Sequence, residues 1–169
     1  MKWGKIFIAL TIVVLIFGIS LFVFSVRARM TGMEYQFQVD AVLSAAGIAN
    51  NGEMLTDPEK AVIAEYEGRK TVIAPGNYTA LSSYLRKDAA MPLWIHIDES
   101  EALKITVCNE AVFLAAPEDE KGDVVLIRLT TGDQTFSMRT DGGNQWSNLL
   151  KCCMEGTHHD QNQPFDAAI

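Results

Sequence analysis

The chain has 169 residues, a formal net charge of −7, and an apolar share of 49% against 21% charged. Residues 1–30 hold four of its fourteen basic side chains (Lys2, Lys5, Arg27, Arg29) and none of its twenty-one acidic ones, so the remainder carries a net of −11. This excludes a collagen-like, disulfide-dense or wholly disordered chain. A body this acidic does not suit a nucleic-acid binder either, because such affinity comes from clustered Lys and Arg.

From Ile6 to Phe24 the sequence reads IFIALTIVVLIFGISLFVF, without a single charge. At 1.5 Å per residue this covers about 28 Å, close to the roughly 30 Å hydrocarbon core of a bilayer. Backbone groups in lipid must pair internally, so the stretch is expected to be a helix with the bilayer as its partner through residues 6–24. Trp3 falls at an interfacial position, and the pairs Lys2/Lys5 and Arg27/Arg29 bracket the ends. The rival reading is a cleaved secretory signal, whose apolar run is shorter, about 7 to 15 residues, and ends in small residues. Val26 and Ala28 fit those small positions, but arginines stand at 27 and 29. Basic residues are balanced across the span, so the orientation rests on the short N-terminal tail with the whole body behind it. That is the layout of an uncleaved signal-anchor: a single-pass protein of the cell membrane with an extracytoplasmic domain.

The expected organisation is an anchor over 1–30, a juxtamembrane helix and linker over 31–52, a globular domain over 53–155 and a flexible tail over 156–169. Gly32 is expected to break the first helix. Tyr35, Val39, Val42, Leu43 and Ala46 then share one helical stripe, closed by Gly47 and an Asn50-Asn51-Gly52 loop. Such an amphipathic helix docks on its own domain, or on a protein partner or second copy of the chain.

AVIAEYEGRKTVIAP reads as a hairpin with Glu67-Gly68-Arg69 as its connection, although Asp57-Pro58-Glu59 also suits the first turn of a short helix. Asn77 is placed to cap a helix with Tyr78, Leu81, Tyr84 and Leu85 on one stripe. Asn77-Tyr78-Thr79 also matches the glycosylation acceptor pattern, a weak signal by itself. Five strand-like runs follow: Leu93 to Asp98, Leu103 to Cys108, Ala111 to Ala116, Val124 to Thr130 and Gln134 to Arg139. Their short links require antiparallel neighbours. Asp141-Gly142-Gly143 precedes a last helix with Trp146, Leu149, Leu150 and Cys153 on its inner side. The expected class is α+β: an N-terminal transmembrane helix, then a mostly antiparallel sheet of about five to seven strands covered by a C-terminal helix. A meander closed by a helix is similar in strand order to a pleckstrin-homology-like barrel, an analogy of order that carries no function.

Several groups have the residue types for chemistry. Cys152 and Cys153, followed by Glu155, His158, His159 and Asp160, offer thiolate and imidazole ligands for zinc or copper. Adjacent cysteines on a helix point about 100° apart, however, so core filler and a solvated tail is the plainer account. No catalytic residue, metal centre or cofactor is assigned. Cys108 has the alternative of a disulfide to Cys152 or Cys153 in an oxidising compartment. His96 shares a strand face with Trp94 and Asp98, yet no G-x-S-x-G or comparable nucleophile turn accompanies it. The acidic runs at 98–101 and 118–123 lack the spacing of a calcium loop, and the Gly142-Gly143 helix start is a generic anion site. The expected function is a membrane-anchored, acidic, non-enzymatic interaction or assembly module. The alternatives are a membrane-tethered hydrolase with a dispersed site, or a Cys/His metal- or redox-responsive domain.

Overall fold

A computed structural model describes residues 2–50, 59–86 and 96–155. Helix α1 runs from Lys2 to Ala49, followed by strands β1 (Val62–Tyr66) and β2 (Arg69–Val72). A 3-10 turn, Pro75–Asn77, leads straight into α2 (Tyr78–Arg86). Strands β3 (Leu103–Val107), β4 (Ala111–Pro117), β5 (Val124–Thr131) and β6 (Gln134–Asp141) precede α3 (Gln145–Met154). The class is α+β, as the sequence pattern implied. The six strands form one antiparallel sheet in the order β2-β1-β3-β4-β5-β6. It is an open sheet with β2 and β6 as its edges, so the barrel analogy does not carry over.

Alternation along each strand sends one set of side chains under the helices. A single cross-strand row, Ala64–Ile105–Phe113–Leu129–Phe136, runs through five strands in register. The next row, Leu103–Ala115–Ile127–Met138, packs beside it. All nine side chains are buried. Each of the larger ones contributes roughly 1.5–3 kcal/mol by leaving water.

Three helical elements cover this face. The stripe expected on the juxtamembrane segment is the one that docks: Tyr35, Val39, Leu43 and Ala46 are buried in the same core as Leu81, Leu85, Leu149 and Cys153. Gly32, expected to end the first helix, lies inside α1. A helical glycine costs about 1 kcal/mol, but starting a second helix costs more, and the docked stripe follows within one turn. α1 stops at Asn50, whose side-chain amide donates to the Ala46 carbonyl (2.7 Å) and the Lys60 carbonyl (2.6 Å). The Ala46 carbonyl also accepts the Asn50 backbone N–H at 3.1 Å, so the side chain doubles the last bond of the helix and ties its end to the approach to β1.

The tight turns follow backbone handedness. Glu67 and Gly68 (φ 48° and 76°), and Cys108 and Asn109 (φ 51° and 55°), both hold the left-handed pair that matches hairpin twist. In the second, the Glu110 N–H closes onto the Val107 carbonyl at 3.0 Å. The run expected as a strand over 93–98 has no strand at 96–98, and its first half lies outside the described residues. So do the expected linker boundary at 52/53 and the tail over 156–169.

Candidate functional site

The helices take one side of the sheet and leave the other side without helical cover. Its central row is Lys70–Glu65–Lys104–Leu114–Arg128–Ser137, paired residue to residue across six strands. Part of this face is covered by the segment preceding β3. Ile97 and Ala102 are buried there against Leu114, with Val112, Ala116 and Leu126 packed around them as a small second core. Beside that segment lies an open cleft of about 680 Å³ between Glu99-Ser100 and the β1–β2 turn, floored by Val112 and Leu114.

Charge in the cleft is largely compensated. Glu65 pairs with Lys70 at 3.3 Å, and Arg128 with Glu99 at 2.6 Å. Lys104, an exposed residue beside Glu65 in the row, makes no ion pair within 4.0 Å among the described residues. Ser100 is committed locally, its N–H and hydroxyl both donating to Asp98 Oδ1 at 3.0 and 2.8 Å. Those two donors hold the Asp98 carboxyl below the usual carboxylate range. The cleft therefore has an apolar floor with opposed charges at its rim. Sequence reasoning did not single out Glu65, Lys104 or Arg128. Strand alternation implied that they point outward, but the register that aligns them was not legible.

The residues that were singled out are dispersed. Cys153 is fully buried in the core, and Cys152 is half-buried with its sulfur 3.9 Å from the Asn77 carbonyl. Burial pushes both thiols up, away from the reactive thiolate. His158 and His159 lie outside the described residues. Among the described residues, no group of three or more His, Cys, Asp or Glu side chains is placed to hold a metal ion. All three cysteines are free thiols, and Cys108 Sγ donates to the Lys60 carbonyl at 3.2 Å. Burial and the neighbouring Glu110 push the Cys108 thiol up as well. His96 is exposed and outside any strand.

The acidic turns serve the backbone and a neighbouring arginine. Asp119 Oδ1 accepts the Val124 N–H at 3.3 Å, and Glu118 pairs with Arg139. Asp123 Oδ1 accepts the Asn144 N–H at 2.8 Å, so the chain's own carboxylate occupies the start of α3 rather than an external anion. Between α1 and α2, Ser82 and Arg86 both donate to Asp40 Oδ1 at 3.0 Å, a clamp joining the two helices.

No protein-family model, curated protein or solved structure matches this chain.

Proposed function

We propose that this chain is a single-pass membrane protein, with residues 6–24 in the bilayer. Its acidic α+β domain lies on the extracytoplasmic side and acts as a non-enzymatic interaction or assembly module. The observation that carries the reading is the continuity of α1. One helix is long and apolar enough near the N-terminus to cross a membrane, and its apolar window is entirely unburied by the protein. The same helix supplies Tyr35, Val39, Leu43 and Ala46 to the domain core. A domain built onto the end of its own anchor is held at fixed height and orientation, which suits assembly beside a bilayer better than capture of a diffusing substrate. The mixed-charge cleft on the outer sheet face supports recognition in the same sense.

The test is alkaline carbonate extraction of membranes, combined with protease shaving of intact and lysed cells carrying a C-terminal epitope tag. The expected result is a chain retained in the pellet and a tag lost from intact cells. Release into the supernatant overturns the anchor. Protection in intact cells with cleavage after lysis overturns the extracytoplasmic placement. Reproducible hydrolytic turnover by the purified, detergent-solubilised chain overturns the non-enzymatic assignment.

A further inference from the structure

α1 has a second apolar stripe that the domain does not use. Stepping from Ile12 by alternate intervals of four and three residues reaches Val26, Met30, Met33 and Phe37 without meeting a polar side chain. These last four stand between 41% and 70% exposed. At 100° per residue they centre about 155° around the helix from the stripe of Tyr35, Val39, Leu43 and Ala46, which faces the core. Phe37 lies roughly 20 Å along the helix axis beyond Phe24, past the interfacial layer that adds roughly 5–8 Å to each side of the hydrocarbon core. Met33 and Phe37 therefore stand in water, where a large apolar stripe calls for a partner surface. Intervals of four and three are the spacing of a two-helix coiled-coil seam, in which each apolar residue packs into a hole on the facing helix. The next step is Asp40, which is bound to Ser82 and Arg86 and so ends the seam where the domain begins.

We propose that a second copy of this chain covers that stripe, forming a parallel two-helix coiled coil from Ile12 to Phe37 with one domain outward on each side. The parallel arrangement rests on the membrane reading above, because two copies inserted with the same orientation present their helices side by side. Charge selects the occupant. In this register Arg29 and Glu34 flank the seam at the two positions that meet across a parallel pair, five residues apart. Arg29 therefore faces the partner subunit's Glu34, and symmetry repeats the contact. Both residues are exposed, and neither forms an ion pair within its own chain among the described residues. Confinement to one bilayer raises the effective concentration of the second copy, so a short seam suffices.

The experiment uses the full chain in its own membranes, washed with alkaline carbonate, with Cys108→Ser and Cys152→Ser and the buried Cys153 left in place. Single cysteines are introduced at Met30, Met33 or Phe37 on the stripe, and at Thr31 or Gln38 off it, then oxidised with copper phenanthroline. The expected result is a crosslinked band of twice the chain mass at 30, 33 and 37, at least several-fold stronger than at 31 and 38. Arg29→Glu weakens the band at 33 several-fold, and Arg29→Glu with Glu34→Arg restores it. A chain retained in the pellet but crosslinked nowhere, or equally everywhere, overturns the dimer and leaves the anchor standing. A stripe-dependent band of another mass also overturns it, since the occupant is then a different protein. Loss of the chain from the pellet overturns the anchor and the parallel pair together.

Discussion

The Tyr35 hydroxyl and the Gln145 side-chain amide, from opposite ends of the chain, donate to neighbouring carbonyls at the end of α2. The Tyr35 hydroxyl reaches the Leu85 carbonyl at 2.7 Å, and Gln145 Nε2 reaches the Tyr84 carbonyl at 2.5 Å. A helix leaves its last four carbonyls without internal partners; the bond to the Leu85 carbonyl is buried and that to the Tyr84 carbonyl is partly buried. α1 and α3 therefore cap α2, which fixes all three helices to one another over the sheet.

Removing the Tyr35 donor leaves the buried Leu85 carbonyl without this partner. Tyr35→Phe keeps the ring, which tilts against Phe136 at a centroid distance of 6.4 Å, and deletes only the donor. The expected loss is about 1–3 kcal/mol. Thermal unfolding of the detergent-solubilised chain, followed by near-ultraviolet circular dichroism, checks it. A midpoint within 1 °C of the parent, about the measurement scatter, would show that the bond is dispensable.

Gly122 is a glycine with a steric reason to be one. It sits at φ +68°, and a Cβ there would lie 2.8 Å from the Cβ of Trp146, whose N–H donates to the Gly122 carbonyl at 2.8 Å. Gly68 has a similar φ of +76° with nothing within 4 Å of its missing Cβ. Gly68→Ala is expected to cost only the left-handed backbone penalty, about 1–2 kcal/mol. Gly122→Ala adds displacement of α3 from the β4–β5 loop, and its melting midpoint is expected to fall clearly further. Equal midpoints for the two variants would remove the steric argument.

Stability is expected to decline at alkaline pH. Burial pushes the Tyr35 hydroxyl and the Cys153 thiol up from their ordinary values. In the unfolded chain they ionise near about 10 and 8.5. Above those values the unfolded state has released protons that the folded state still holds, so unfolding becomes easier as pH rises. The loss begins above about pH 8.5 for Cys153 and above about pH 10 for Tyr35, at up to about 1.4 kcal/mol per pH unit for each group. Denaturant midpoints from pH 7 to 11 measure this. Tyr35→Phe should flatten the limb above pH 10, and an unchanged slope in that variant counts against the assignment.

Asp123 holds the start of α3 through the Asn144 N–H, and its own carbonyl accepts the Gly142 N–H at 2.9 Å. Asp123→Ala should cost about 0.5–2 kcal/mol, the usual range for losing an N-terminal cap. Asp123→Asn keeps an acceptor and should lose less. Chemical denaturation of both variants decides the order, and a larger loss for the asparagine variant would contradict it.

Local pattern by itself determined much of this molecule. The uncharged run over 6–24, the hairpin around Glu67-Gly68, the strands β3 to β6 and the helix ending at Cys152-Cys153 were all legible. Each is written in a short-range period or a turn residue, and their short links dictate antiparallel pairing. Only the tertiary structure decided that α1 continues through Gly32, because docking of Tyr35 and Val39 outweighs a glycine's local preference. It also decided which of two apolar stripes on that helix is core and which is surface: both have helical spacing, and only packing distinguishes them. The row joining Glu65, Lys104 and Arg128 belongs to the same category. Alternation points each of them outward, but their alignment depends on register between strands far apart in the chain, and hydrogen bonding across the whole sheet sets that register.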